Sequence, residues 1–194
     1  MADLLNMDPM AEAWLLPTQM LIAINSNDQS RAAQALEEGL DCDHRFNCGS
    51  KFQPALSLCI ERGRTEIVQL LISRGCSVSQ PDSGGSSPLH SAAYSQRVGV
   101  TRLLLRHGAS PNTRDAFTRT PLHVAAENGS LEIVRLLVQA ALQLAAAGGH
   151  ADLVRLLLVH GAAPGAADVL GHAERTIERL PLPPRIKGYL LFAE

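Results

Sequence analysis

One spacing constrains this chain more than any other: a supersecondary unit is written twice, 33 residues apart. Ser87-Pro88-Leu89-His90-Ser91-Ala92-Ala93 returns as Thr120-Pro121-Leu122-His123-Val124-Ala125-Ala126, and Arg102-Leu103-Leu104-Leu105 returns as Arg135-Leu136-Leu137-Val138. A fixed period of this length marks a stacked array, in which each unit buries its apolar face only against its neighbours.

The words inside the period carry a mechanism. Ser87 or Thr120 can cap a helix, and Pro88 or Pro121 follows at the first helical position, where its missing N–H costs nothing. The Ala pairs give that helix a small-residue face, and Asn128-Gly129 stops it at residues tolerant of positive φ. A second helix follows over Leu131–Val138, with Leu131, Val134, Leu137 and Val138 read as its buried stripe. A run of turn formers, Gly108 to Asp115, closes the unit before it. Counting back, Pro54 to Ile60 and Glu66 to Leu71 match the later units helix for helix, and Leu21 to Asn27 with Arg31 to Glu38 form a degenerate first unit. Its atypical polar character suits an end of the array, where one face meets water. The expected divisions are an N-terminal tail or cap over 1–20, units at 21–53, 54–86, 87–119, 120–140 (truncated) and 141–165, and a C-terminal segment over 171–194. In the tail, Trp14, Leu15 and Leu16 are expected to cover the first unit's edge.

The period breaks once. The next inner helix is due near position 154, yet Ala141-Leu142-Gln143-Leu144-Ala145-Ala146 arrives 13 residues early, without a projecting turn before it. Val138-Gln139-Ala140 contains no Gly, Pro, Asp or Asn, so local preference favours one helix from Leu131 to about Ala147. Stacked helices at this point must be antiparallel, which a continuous helix forbids. Either a tight break forms near Ala140, or the last pair swings away from the array.

Composition excludes several classes. A net charge of −2 suggests neither nucleic acid nor an anionic membrane as partner. No apolar run reaches the roughly 20 residues of a membrane span. Met1 to Met20 carry Asp3, Asp8 and Glu12 with no basic residue, which argues against a secretory signal and predicts a cytoplasmic chain, with the nucleus as a further location. Cys42, Cys48, Cys59 and Cys76 match no zinc spacing even with Asp43 and His44 between two of them, so they are expected as small side chains in a reducing compartment. No metal and no cofactor are expected.

The helix–turn–helix–turn unit, with its Thr-Pro-Leu-His-x-Ala-Ala words, resembles the ankyrin repeat. That resemblance implies an all-α solenoid of four to five repeats with projecting turns. At the chain end, Leu180-Pro181-Leu182-Pro183 followed by Ile186, Lys187, Tyr189, Leu190 and Leu191 is similar to the cullin-contacting half of the SOCS box in the ankyrin repeat and SOCS box family. By that resemblance Leu180, Pro181, Leu182 and Pro183 face a cullin, Elongin B and C are partners, and the array holds the substrate of a cullin-RING ubiquitin ligase. In that family a helix bearing a Leu and a Cys precedes this half and enters Elongin C. This chain has no cysteine after Cys76, and Val169, Leu170 and Ile177 are the apolar residues left for that contact. Read from the residues alone, the proline-fixed tail is either a docking rod or a cap folded over the last helix pair.

Catalytic chemistry is not legible. His90 and His123 recur with the array period on the first turn of a helix, which marks them as structural, and no base, nucleophile and orienting group share a plausible spacing. The chain is expected to be no enzyme. Repeat arrays present a concave surface built from the projecting turns and the exposed side of the first helices. Here that surface is expected to use Gln80, Asp82, Ser83, Arg114, Asp115, Phe117 and Arg119 on the turns, with Tyr94, Gln96, Glu127 and Asn128 on helices. The target-binding set drawn from these is Tyr94, Arg114, Phe117, Arg119, Glu127 and Asn128. Aromatic and arginine side chains are the usual anchors of such faces. The functional alternatives are a ligase adaptor, or a binding scaffold or inhibitor with no ligase association.

Overall fold

A computed structural model describes residues 9–49 and 51–150, the first six of them by backbone alone. The chain runs α1 (Pro9–Ser26), α2 (Gln29–Glu37), β1 (Arg45–Asn47), β2 (Phe52–Pro54), α3 (Ala55–Glu61), α4 (Thr65–Ser73), α5 (Pro88–Tyr94), α6 (Val98–Arg106), α7 (Pro121–Glu127) and α8 (Leu131–Ala147). The helices form consecutive pairs, α1 with α2, α3 with α4, α5 with α6 and α7 with α8; the inner helices α3, α5 and α7 stack in series, and the outer helices pack α2 on α4 and α6 on α8. The result is the helical repeat solenoid that the period demands.

Burial follows the period. Leu56 and Leu89 occupy equivalent places and are each 1% exposed, while Cys59 and Ala92, also equivalent, are fully buried. Small side chains at that second place let consecutive inner helices approach closely. Outer helices contribute Ile67, Leu71 and Leu104 to the same core. Burying each such side chain stabilises the fold by roughly 1.5–3 kcal/mol. A smaller cluster, Ala93, Val124, Ala125, Ile133 and Leu137, joins α5 to the last pair.

The buried stripe of α8 differs from the expected one. Ile133 and Leu137 are buried, whereas Leu131 is 60% exposed. The period explains this, because Ile133 corresponds to Val100 and Ile67, both buried, and Leu131 corresponds to the half-buried Val98. Spacing alone allows several stripes, and the neighbouring helix selects one.

Two features lie outside an all-helical description. The turn before α3 holds a two-stranded antiparallel ribbon, with Phe46 opposite Gln53 and Asn47 opposite Phe52. Phe46 is 2% exposed, so the ribbon is anchored in the core, and its bend uses Gly49 at φ +83°. The helix α1 begins at Pro9, inside the segment read as a tail, and contains Pro17. Arg64 completes its end: Nε donates to the Ile24 carbonyl and Nη2 to the Asn25 carbonyl, each at 2.9 Å. These carbonyls have no partner within the helix, and a cation there also complements the helix dipole.

The cysteines correct one expectation. Cys42 and Cys76 form a disulfide, with Cα atoms 5.2 Å apart, so Cys76 is not a free thiol. Beside it Asp43 Oδ1 accepts the Ser77 N–H at 3.0 Å, a second tie between the same two turns. Cys59 remains a free thiol in the core. Burial pushes it up to about 12, against the opposing pull of Arg62 and Arg64, and it stays protonated at neutral pH.

At Ala140 the helix does not break. α8 runs 17 residues from Leu131 to Ala147 and ends at Gly148-Gly149, with Gly149 at φ +72°. Of the two outcomes open to the sequence, the structure takes the continuous helix.

Candidate protein-interaction surface

Three projecting turns stand side by side along one edge of the array. Backbone bonds link them: the Phe52 carbonyl accepts Ser83 N–H at 2.8 Å, and the Gly84 carbonyl accepts Ala116 N–H at 3.0 Å. The second and third turns each fold around an aspartate. Asp82 Oδ1 accepts the N–H groups of Gly84 and Ser86, and Asp115 Oδ1 those of Phe117 and Arg119, all at 2.9 Å. An Asp side chain that takes up its own turn's donors replaces a backbone ladder. Burial disfavours ionised Asp115, but the N–H groups of Arg119 and Phe117 and the Arg119 guanidinium outweigh it and hold its carboxyl below the usual carboxylate range.

The two turns differ at one residue that matters for strain. Gly85 sits at φ +76°, and the equivalent Thr118 at φ +60°. A β-branched residue pays for that left-handed backbone, at roughly 1–2 kcal/mol. Thr118→Gly is therefore expected to raise the stability measured by urea unfolding modestly, by up to about 1 kcal/mol after the greater chain entropy of glycine is subtracted. Gly85→Ala is expected to lower it, because a Cβ there meets the Ala116 nitrogen at 3.1 Å.

Between the turns and the inner helices lies a groove of about 460 Å³. Its walls include Lys51, Ser86 and Arg119, and its floor Glu61, His90, Ser91, Tyr94, Val124, Glu127 and Asn128. Lys51 Nζ lies 2.7 Å from Glu61 and 3.4 Å from Asp82. Burial lowers its pKa, yet the two carboxylates together hold it above the ordinary lysine value. Arg119 bridges Asp115 at 2.9 Å and Glu127 at 3.3 Å. Each cation is thus shared between two carboxylates, one buried in a turn and one, Glu61 or Glu127, lining the groove. Tyr94 rises from this floor 70% exposed.

His90 ties the second turn's helix to the third turn. Its Nδ1 accepts the Ser87 N–H at 3.1 Å, and its Nε2 lies 2.9 Å from the Arg119 carbonyl. Both nitrogens are spent on holding the array together. His123 makes the same cap with Thr120, and its Nε2 has no partner among the described residues.

Of the expected target-binding residues, Tyr94, Arg119, Glu127 and Asn128 line the groove. Phe117 stands 76% exposed at the tip of the third turn, with the Arg119 guanidinium carbon 5.2 Å from its ring centre. Arg114 is exposed at the base of that turn and does not reach the groove. Asp82 and Asp115, expected on the surface, are each 6% exposed; Asp115 spends both oxygens inside its own turn, whereas Asp82 gives Oδ1 to its turn and Oδ2 to Lys51 of the ribbon. Gln96 donates to the Asn128 carbonyl at 3.2 Å. Sequence reasoning missed Lys51 and Glu61, which lie 10 residues apart in the chain and meet only because the ribbon folds back over α3. Leu180, Pro181, Leu182 and Pro183 lie outside the described residues, as does the side chain of Trp14. Among the described residues no cluster of His, Cys, Asp and Glu is arranged to hold a metal, and no helix is long and apolar enough to cross a membrane.

Stacked helix pairs, aligned turns and an open groove define a helical repeat protein. Family models agree with this class: ankyrin repeats in three copies match residues 20–115, ankyrin repeats in many copies match 104–143, and a single ankyrin repeat matches 139–169. Together they span well over half of the chain, which belongs to the ankyrin-repeat family. A comparison with curated proteins found no match. Ankyrin repeats imply protein–protein interaction, and a protein partner follows from the family.

Proposed function

We propose that this ankyrin protein is a non-catalytic substrate-recognition adaptor of a cullin-RING ubiquitin ligase of the Elongin B/C type, working in the cytoplasm and nucleus. The observation that carries the reading is the Leu180-Pro181-Leu182-Pro183 word with Ile186, Tyr189 and Leu190 behind it, directly after an ankyrin array. In this reading the prolines present Leu180 and Leu182 to the cullin with little entropy left to lose. The groove holds the target. The half-exposed Glu127 suits a basic side chain of the target and the exposed Tyr94 an apolar one, while Phe117 and Arg119 supply the outer contact.

A specific observation favours a second reading, an ankyrin scaffold or inhibitor with no ligase association: there is no cysteine after Cys76 to enter Elongin C. The two readings separate in one experiment. The tagged full chain is recovered from cells beside a version with Leu180, Pro181, Leu182 and Pro183 changed to alanine, and cullin, Elongin B and Elongin C are quantified. The adaptor predicts recovery of all three and loss of cullin in the altered chain. Recovery of other proteins with none of these three sinks the adaptor and leaves the scaffold.

A further inference from the structure

The series of projecting turns ends with two groups that lack partners. Ser83 N–H donates to the Phe52 carbonyl and Ala116 N–H to the Gly84 carbonyl, so each turn offers its successor one acceptor. The equivalent acceptor on the third turn is the Phe117 carbonyl, which has no partner among the described residues. The histidines repeat the pattern. His90 Nδ1 accepts the Ser87 N–H, which puts the ring proton on Nε2, and Nε2 donates to the Arg119 carbonyl of the next turn at 2.9 Å. His123 Nδ1 accepts the Thr120 N–H in the same way, and its Nε2 proton has no acceptor among the described residues. A fourth turn meets both needs, with the N–H of its second residue and the carbonyl of its fifth. Beside these groups Leu122 is 37% exposed, where the equivalent Leu89 is 1% exposed.

The chain contains such a turn, later than the period places it. Leu156-Leu157-Leu158-Val159-His160-Gly161-Ala162-Ala163-Pro164 repeats Leu103-Leu104-Leu105-Arg106-His107-Gly108-Ala109-Ser110-Pro111, 53 residues on. Asp168-Val169-Leu170-Gly171-His172 begins seven residues after Gly161, as Asp82 follows Gly75 and Asp115 follows Gly108. An aspartate at the first place holds both described turns, by accepting the N–H groups of the third and fifth residues. Gly171 falls at the fourth place, where Gly85 has φ +76° and Thr118 φ +60°. Glycine takes that backbone without strain.

The length of the intervening chain suits its return. α8 carries the chain nine residues past Val138, about 13 Å, and ends at Gly148-Gly149. Residues 151–160 then repeat the outer-helix word, with Leu153-Val154-Arg155-Leu156-Leu157 for Ile133-Val134-Arg135-Leu136-Leu137. Ten helical residues run about 15 Å, enough to bring Gly161 back to the level at which the lost turn would begin. The seven residues from Gly161 to Asp168 reach up to roughly 23 Å, against the about 8–10 Å that separate neighbouring helices.

We propose that residues 168–172 dock on the third turn of the same copy as the fourth turn of the array, with the Val169 N–H on the Phe117 carbonyl and the His123 Nε2 proton on the His172 carbonyl. Leu170, equivalent to Phe117, then stands beside it at the tip, and the surface offered to a target extends one turn beyond Arg119. Val169 and Leu170 belong to the array in this arrangement and not to an Elongin contact. The docking does not rest on the ligase reading, since the turn ends eight residues before Leu180.

The test is NMR of the full chain with isotope-labelled histidine, read as exchange of imidazole protons with water. His90 is the internal reference, because its Nε2 proton is bonded inside the described array. Slow exchange is expected at both His90 and His123, the latter identified by its loss in His123→Gln. Asp168→Ala removes the acceptor that the turn folds around, and Gly171→Val the residue that bears positive φ. Each is expected to speed exchange at His123 at least about tenfold while leaving His90 and the helical signal unchanged. Light scattering of the same samples is expected to give the mass of one copy. Fast exchange at His123 in the unaltered chain, protection that survives both substitutions, equal loss at both histidines, or protection confined to a two-copy species would each overturn the proposal.

Discussion

Changing Asp115 to alanine should cost about 2–3 kcal/mol of stability and loosen the turn that carries Phe117, because buried N–H groups lose a charged acceptor. Asp115 accepts the N–H groups of Phe117 and Arg119 at 2.9 Å and the Arg119 Nε at 3.0 Å, and its side chain is 1% exposed. The loss also frees Arg119, whose side chain forms part of the groove wall, so binding of a target should weaken beyond the loss of stability. Urea unfolding measures the first effect, with Arg114→Ala as an exposed control expected to change little. Acid provides an independent check. The folded carboxyl is held below its ordinary value, so its contribution is present in full above about pH 3.9 and is lost as the pH falls through the lower folded value. The alanine variant should lack that component of acid sensitivity. Equal acid profiles for the two proteins would show that the turn does not depend on the ionised side chain.

Leu137→Ala should be the more damaging of two leucine truncations in α8, at about 2–5 kcal/mol, against less than about 0.5 kcal/mol for Leu131→Ala. Leu137 is 2% exposed and belongs to the cluster with Ala93, Val124, Ala125 and Ile133, whereas Leu131 is 60% exposed. Thermal and urea unfolding of both variants compare them directly. Similar losses would mean that Leu131 is covered in solution, and the burial pattern of α8 would need revision.

Much of the array was legible because its signals are local or periodic. A cap residue followed by proline starts a helix, a glycine stops it, and a 33-residue recurrence repeats both, so the helix pairs are readable without any knowledge of contacts. The continuous α8 was legible for the same reason: nothing between Val138 and Ala141 interrupts hydrogen bonding from one turn to the next. Four of the expected groove residues, Tyr94, Arg119, Glu127 and Asn128, were found by placing them on the period. Their ion pairs were not, since Lys51 with Glu61 and Asp82 depends on how a ribbon lies across two repeats.

The sequence by itself determined the repeat, the places of the helices in the recurring units after Pro54, the shortened junction and the absence of a turn at Ala140, all of which rest on interactions spanning a few residues or on exact recurrence. Only the tertiary structure decided which stripe of each outer helix is buried, that Asp82 and Asp115 turn inward to hold their own turns, that Cys42 meets Cys76, and that Arg64 closes α1 from about 40 residues away. These choices are made by packing between repeats. A side chain selects its neighbour only after the helices have stacked, and no spacing along the chain records that selection.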